Sequence, residues 1–165
     1  MCALTGAGWD GNDFTVPWFN EKIPLSSGKE TEQVLWLHYL ISEGTRPPTG
    51  RLVAYRDLAG AGFYEPSFIK RAVNPLAKRF GRDPGAFLKA GAACGGRQAD
   101  NGDVSVVLNP LPHLPVTYIL WLGDEEFPAQ GNILFDQTAS GWLPAEDLTV
   151  LASLSVYRMI KLSFN

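Results

Sequence analysis

Three consecutive carboxylates make segment 121–129 the part of this sequence where a polar site is most strongly indicated. Asp124, Glu125 and Glu126 follow directly after the apolar run 116–122. A loop at the end of a buried strand is held in place by that strand, and binding and catalytic groups are often found there. Two or three converging carboxylates would suit a hard cation such as Mg²⁺ or Ca²⁺.

Two further carboxylates extend this metal-site hypothesis. Asp103 stands at the start of an alternating strand. Asp136 ends the strand expected to pair with the apolar run, so the pairing could bring it toward the other end of the hairpin. The alternative interpretation is that residues 124–126 are a solvated hairpin tip, or that one of them caps a turn. Their spacing matches no calcium loop and no other metal motif.

Chemistry at an imidazole nitrogen could come only from His38 and His113. His38 lies in an apolar helical segment, on the side of Val34, Leu37 and Ile41. We expect a core histidine that is hydrogen-bonded to backbone; an axial cofactor ligand or a general base is the alternative. His113 lies between prolines in a connection that predicts a surface position.

The two cysteines, Cys2 and Cys94, form no Cys-x-x-Cys motif. The chain by itself therefore offers no ligand set for an iron–sulfur cluster or a structural zinc. Cys94 could be a reactive thiol, but no adjacent cation is present to lower its pKa. It falls in the Gly/Ala-rich segment 90–96, which lacks the Gly-Lys-Ser/Thr ending of a phosphate loop. That segment predicts a close approach of two backbones.

A helix is predicted over 28–43. Ser27 and Glu30 match a capping box, and Gly44 suits a left-handed residue after the helix end. From 34 to 41 the residues are apolar nearly all round, so we expect burial on most sides of this helix.

Segment 14–25 reads as two short strands around a turn at Asn20-Glu21, and its prolines confine these strands to a sheet edge or its ends. Segment 51–55 reads as a further strand. Pro66 begins a second helix, which Pro75 should kink and Gly81 should end. The spacing of its apolar residues predicts a core stripe made of Ile69, Ala72, Val73, Leu76 and Phe80.

The second half of the chain predicts a helix, a hairpin and a final helix. Asp83 caps a helix that runs to about Ala93, and an alternating strand covers 104–108. The apolar run 116–122 predicts a central strand, paired antiparallel with 132–135. Three prolines should break the chain between these strands, namely Pro110, Pro112 and Pro115. The final helix opens at Pro144 and buries Leu148, Leu151, Ala152, Val156 and Met159.

This order of elements predicts an α+β fold, a mostly antiparallel sheet with helices packed on one face. The length of 165 residues and the 45% hydrophobic content fit one domain spanning residues 1–165. The net charge of -3 and the lack of a Lys/Arg stripe argue against a nucleic-acid partner. The apolar run 116–122 is far shorter than the roughly 20 residues that span a membrane. The absence of a signal-like start, together with the unpaired thiols, predicts a cytoplasmic location.

The sequence also resembles an uncharacterised family of domains of unknown function, common in anaerobic bacteria and archaea. The most specific part is the Gly-Asp-Glu-Glu-Phe-Pro block at 123–128. The other matching segments are 5–7, 37–40, 48–50, 80–81, 95–96, 102–103, 120–122, 134–136 and 143–147, with Tyr64 and Phe68.

The resemblance implies an anaerobic, cofactor-related setting. Some members of that family carry an appended cysteine-rich iron–sulfur segment, which this sequence lacks, and others are encoded near corrinoid or one-carbon enzymes. Members usually have a helical segment before the part that matches residues 5–7, so this chain is expected to be a short version. The resemblance implies no catalytic residues.

Three functions are compatible with these observations. The first is a non-catalytic binding or accessory module that acts on a cofactor or on a partner enzyme, such as an iron–sulfur or corrinoid protein. The second is a metal-assisted enzyme that uses the carboxylates of loop 124–126 with Asp103 or Asp136. The third is a tetrapyrrole binder with His38 or His113 as the axial ligand.

Overall fold

A five-stranded antiparallel sheet, with strand order β4-β8-β7-β6-β5, forms the centre of the molecule. The computed structural model describes residues 5–44 and 46–164. The strands of this sheet are β4 (Leu52–Ala54), β5 (Arg97–Ala99), β6 (Val104–Leu111), β7 (Leu114–Trp121) and β8 (Gln130–Asp136).

The apolar run forms the middle strand, as predicted. β7 pairs antiparallel with β6 on one side and with β8 on the other, so that Tyr118 lies between Val106 and Ile133. The predicted break occurs only at Pro112, which lies in the turn between the two strands, because Pro110 and Pro115 lie inside β6 and β7. The pairing of these strands shifts register between Leu108 and Leu111, which accommodates the missing N–H group.

A three-stranded antiparallel sheet lies at the N-terminal end. Its strands are β1 (Gly8–Trp9), β2 (Phe14–Trp18) and β3 (Glu21–Pro24). The N–H of Phe19 donates to the carbonyl of Pro110 at 2.8 Å, so this sheet is tied to the β6–β7 hairpin. The two strands predicted in 14–25 are confirmed.

The helices are α1 (Glu30–Ile41), α2 (Glu65–Phe68), α3 (Asn74–Phe80), α4 (Pro84–Ala93) and α5 (Ala145–Leu162). Asp83 caps α4 as predicted, because its carboxylate accepts from the N–H of Ala86 at 2.9 Å. The five residues predicted to face the core from the last helix are all buried. None of the described helices combines the length and apolarity needed to cross a membrane.

A π-helical stretch, Ile69–Val73, joins α2 to α3 at the place where the sequence predicts a kink. Pro75 has no N–H to donate. Immediately before it, the N–H of Asn74 donates to the carbonyl of Ile69, five residues earlier, which is the hydrogen bond of a π-helix. The expected core position of Ile69 is wrong, because its side chain is exposed. The residues of this segment that are buried lie every fourth position: Phe68, Ala72, Leu76 and Phe80.

The first helix differs from its prediction at both ends and in its burial. Glu32, not Glu30, accepts from the N–H of Lys29 at 2.9 Å, and the hydroxyl of Ser27 donates to the carbonyl of Pro24. The helix ends at Ile41, and Gly44 is not left-handed. One side of α1 is covered, by α5 and the N-terminal segment, and Tyr39 on that side also contacts Pro112 and Trp142. The buried side holds Leu35, Trp36, Tyr39 and Leu40, whereas Val34, Leu37 and Ile41 are exposed.

One hydrophobic cluster connects both sheets and the helices. Alternate side chains of β6, β7 and β8 enter it from one face of the main sheet, among them Val106, Tyr118 and Phe135. The helices α3, α4 and α5 contact these strands. The structure is therefore α+β with antiparallel sheets, and the predicted fold class is confirmed.

Candidate functional site

A histidine–carboxylate pair joins the first helix to the last. Nδ1 of His38 lies 2.7 Å from a carboxylate oxygen of Asp147. The side chain of His38 is 47% exposed and that of Asp147 only 10%. The expectation of a core histidine bonded to backbone is therefore wrong, because the ring is about half exposed and its partner is a side chain. Within the described residues, Nε2 has no hydrogen-bond partner.

His38 lines a surface cavity of about 440 Å³ between the end of α1 and the residues before α5. Ile41, Leu143 and Pro144 supply apolar walls. A neighbouring cavity of about 480 Å³ is lined by Arg46, Thr49, Gln137 and Thr138. Both cavities share Glu43, Gly141 and Trp142, and together they form what we call the Trp142 cleft.

Trp142 is held in place from several sides. Its indole N–H donates to the carbonyl of Arg46 at 3.1 Å. The ring of His113 stacks on it, with centroids 5.0 Å apart and planes inclined by 9°. A methyl group at Gly44 would come within 2.4 Å of the indole ring, so the backbone there can approach it only because the residue is glycine. His113 thus belongs to the support of the cleft.

Asp136 organises the wall of the cleft. Its carboxylate accepts from the N–H groups of Thr49, Gly50 and Thr138 and from the hydroxyl of Thr138, at 2.7–3.0 Å. Burial on its own would raise the pKa of Asp136, but the hydrogen bonds from Thr138, Thr49 and Gly50 outweigh it and lower the pKa below the usual range. These bonds fasten segment 49–50 to the end of β8.

Several hydroxyl groups of the cleft have other partners, and that of Ser140 accepts from the N–H of Ala59 at 3.3 Å. The hydroxyl of Ser42 donates to the carbonyl of Tyr39 at 2.8 Å. The hydroxyl of Thr138 donates to Asp136, and that of Thr49 accepts from the side-chain amide of Gln137. A histidine–carboxylate pair that acts as a base on a nucleophile needs a free hydroxyl within hydrogen-bond reach. Among the described residues, His38 forms no hydrogen bond with any of these hydroxyl groups.

The acidic loop forms a self-capped turn. Asp124 accepts from the N–H groups of Glu126 and Phe127 at 2.8 and 2.7 Å, and these bonds lower its pKa. Glu125 and Glu126 are exposed. The loop is also fastened to the end of α3, because the N–H of Gly123 donates to the carbonyl of Gly81 at 3.0 Å.

The structure brings Asp103 beside the start of the acidic loop and leaves Asp136 at the opposite end of β8. Asp103 accepts from the N–H of Leu122 at 2.8 Å. Across the two described ranges, no three His, Cys, Asp or Glu side chains are grouped so that they could hold a metal ion. A divalent-cation site at the loop stays a prediction.

The comparisons with known proteins give a family and no function. The model of one family, described as "Domain of unknown function (DUF3786)", matches residues 1–158. The chain belongs to the DUF3786 family. No curated protein and no solved structure matches this DUF3786 chain significantly.

Asp147 is the residue of the DUF3786 cleft that sequence reasoning missed. It lies 109 positions from His38. The available signal was a second carboxylate in the first turn of a helix whose next residues are strongly apolar. Helix polarity explains an acidic residue there without any partner, so the pattern could not indicate a histidine.

Cys94 is a free thiol with a side chain that is almost fully buried. Burial raises its pKa, an effect that nearby Arg158 only partly offsets. A thiol kept protonated in this way is a poor nucleophile. Cys2 lies outside the described residues.

Proposed function

We propose that this domain is a non-catalytic binding module that holds a metal-centred cofactor of the tetrapyrrole or corrinoid type through Nε2 of His38. The observation that carries the proposal is the 2.7 Å hydrogen bond between Nδ1 of His38 and Asp147. A carboxylate at one ring nitrogen fixes the tautomer and leaves the lone pair on the other nitrogen. Histidines that ligate metals in proteins almost always have such a partner.

The surroundings of His38 support a flat ligand. Ile41, Leu143 and Pro144 would cover an apolar ring, and Trp142 forms the floor between the two cavities. Arg46 and Glu43 at the rim could bind polar groups on the edge of the ring. Sites for organic cofactors commonly combine mostly apolar walls with a few polar groups in this way.

The module's setting is part of the same proposal. We place it in the cytoplasm of an anaerobe, where it would present its ligand to a partner enzyme or to an iron–sulfur or corrinoid protein. The buried free thiol of Cys94 supports a reducing compartment. The exposed apolar residues of α1 beside His38, Val34, Leu37 and Ile41, support a partner that docks near the cleft.

The proposal is tested by titrating the purified protein with haemin and with aquocobalamin while absorbance spectra are recorded. We expect saturable, one-to-one binding with the spectral shift of imidazole ligation by at least one of them. His38→Ala should abolish that shift. Asp147→Asn should weaken binding by about 10- to 100-fold, because it removes the group that orients the ring.

His113→Ala tests the other histidine, which stacks on Trp142 and lines neither cavity of the cleft, so its loss can weaken binding but should not change the group that ligates the metal. It should retain the imidazole spectrum. If neither compound binds, or if the spectrum of His38→Ala equals that of the wild type, the proposal is wrong. Thermal melts of each variant separate loss of ligation from loss of folding.

A further inference from the structure

A groove of about 900 Å³ shares no lining residue with the Trp142 cleft. It lies between the π-helical stretch with α3, the end of the acidic loop, and α5. Its volume is within the range of about 300–1,000 Å³ that small-molecule sites occupy. Ala77, Pro128, Ala129 and Ile160 contribute apolar surface.

The groove is positively charged along its rim. Lys70, Lys78, Arg79 and Arg82 line it, and no acidic side chain among the described residues does. The ammonium groups of Lys70 and Lys78 form no ion pair with any described residue. Arg82 donates only to the backbone carbonyl of Asp124, at 3.4 Å. Lys70 and Lys78 therefore face the groove without a carboxylate to neutralise them, whereas Arg82 also lines a smaller cavity together with Asp124 and Glu125.

The fourth cation is fixed in place. The guanidinium of Arg79 lies 5.0 Å from the ring centroid of Phe80 and 4.9 Å from that of Phe164. It also donates to the carbonyl of Ser163 at 3.4 Å and lies 3.8 Å from a carboxylate oxygen of Asp83, which partly neutralises it. A guanidinium held by two rings loses little freedom when it contributes positive potential to a ligand.

An aromatic wall completes the groove. Tyr157 lines it and is 54% exposed, whereas Val156 and Met159 of the same helix are buried in the core. Small-molecule sites commonly combine apolar and aromatic side chains with a few polar or charged groups that fix the orientation of the ligand.

We propose that this groove binds a small organic anion, an apolar ring or chain that carries a phosphate, sulfonate or carboxylate group. The anionic group would contact Lys70, Lys78 and Arg82, and the apolar body would lie on Ala77, Ile160 and Tyr157. In the sequence, Lys70 and Lys78 have the pattern of a solvent-exposed helix face. The fold places both of them around one cavity.

The probe is 8-anilinonaphthalene-1-sulfonate, followed by fluorescence and by calorimetry. Its uncharged analogue N-phenyl-1-naphthylamine has the apolar body without the anion, and inorganic phosphate has the charge without the body. We expect saturable binding of the sulfonate, about tenfold weaker in Lys70→Glu/Lys78→Glu and weaker at high salt. The neutral analogue should bind less tightly, with an affinity that this variant leaves unchanged. Phosphate should compete only at much higher concentration.

The matched control is Lys22→Glu/Lys89→Glu, which changes the net charge equally at exposed lysines that do not line the groove. Its affinity for the sulfonate should equal that of the wild type. Tyr157→Ala should weaken binding, whereas Phe63→Ala, at an aromatic 87% exposed elsewhere, should not. If the control variant loses affinity as much as the groove variant does, or if the neutral analogue binds as tightly as the sulfonate, the proposal fails. All four lysines are exposed, so the variants should fold, which circular dichroism checks.

Discussion

The carboxylate of Asp136 shows how a single residue with the character of a metal ligand can instead hold a fold together. We expect Asp136→Asn to lower the free energy of unfolding by about 1–3 kcal/mol. The wild-type carboxylate offers two acceptor oxygens to its donors, whereas the amide of asparagine offers only one. Chemical denaturation at pH 7 measures this. Asp100→Asn, at an exposed carboxylate, is the control and should stay within about 0.5 kcal/mol of the wild type.

The lowered pKa of Asp136 adds a signature in pH. A carboxyl with a folded-state pKa below its unfolded value of about 3.9 contributes its stability above that value. The contribution is lost as the pH falls through the folded-state pKa. The difference in stability between wild type and Asp136→Asn should therefore be largest near neutral pH and shrink below about pH 4. A difference that stays constant down to pH 2 would contradict this account.

The residue type alone predicted that His38 could serve as a ligand or a base, but not that its side chain would be about half exposed. The apolar residues around it suggested burial on most sides of α1. Periodicity reports which residues share a side of a helix, and it does not report whether another element covers that side. The sequence likewise could not show that Asp147 approaches His38, because the contact depends on how α1 and α5 pack.

At the scale of the element, α4 contains two glycines whose replacement by alanine should have opposite effects on stability. A Cβ atom at Gly91 would lie 2.6 Å from Cγ1 of Val106, whereas at Gly85 the nearest atom is 3.8 Å away. We expect Gly91→Ala to destabilise the protein by about 1–3 kcal/mol through overpacking against β6. Gly85→Ala should stabilise it by about 0.4–1 kcal/mol, because alanine restricts the unfolded chain. Thermal denaturation of the two variants decides, and equal shifts would contradict the packing described here.

The elements that were predicted well have one feature in common: their patterns were set by local periodicity. The middle strand β7, the cap of α4 and the buried face of α5 follow directly from apolar runs, a capping residue and spacing of three and four. The break expected at the prolines was right at Pro112 and wrong at Pro110 and Pro115, since a register shift within the sheet accommodates a missing donor. The sequence does not show which neighbouring strand provides that shift.

For the whole molecule, the continuous core predicts that both sheets unfold together. Leu120 is fully buried in the middle strand, and its replacement by Asp should cost several kcal/mol. Far-ultraviolet circular dichroism and tryptophan fluorescence should then follow one transition at a lower denaturant concentration, as for the wild type. Gln130→Asp, at an exposed position of the same sheet, should cost less than about 1 kcal/mol. Separate transitions for the two probes would indicate more than one folding unit.

The π-helical stretch determines the direction in which the side chains of α3 point around the helix axis. Four residues of an α-helix turn about 400°, so a row of side chains at every fourth position drifts by about 40° per step and by about 120° over three steps. Phe68, Ala72, Leu76 and Phe80 nevertheless all stay in the core, and wider winding at Ile69–Val73 reduces that drift. Lys70, Asn74 and Lys78 are also four positions apart, and all three line one groove. The alignment of the cations is therefore geometrically coupled to the packing of the core row beneath them.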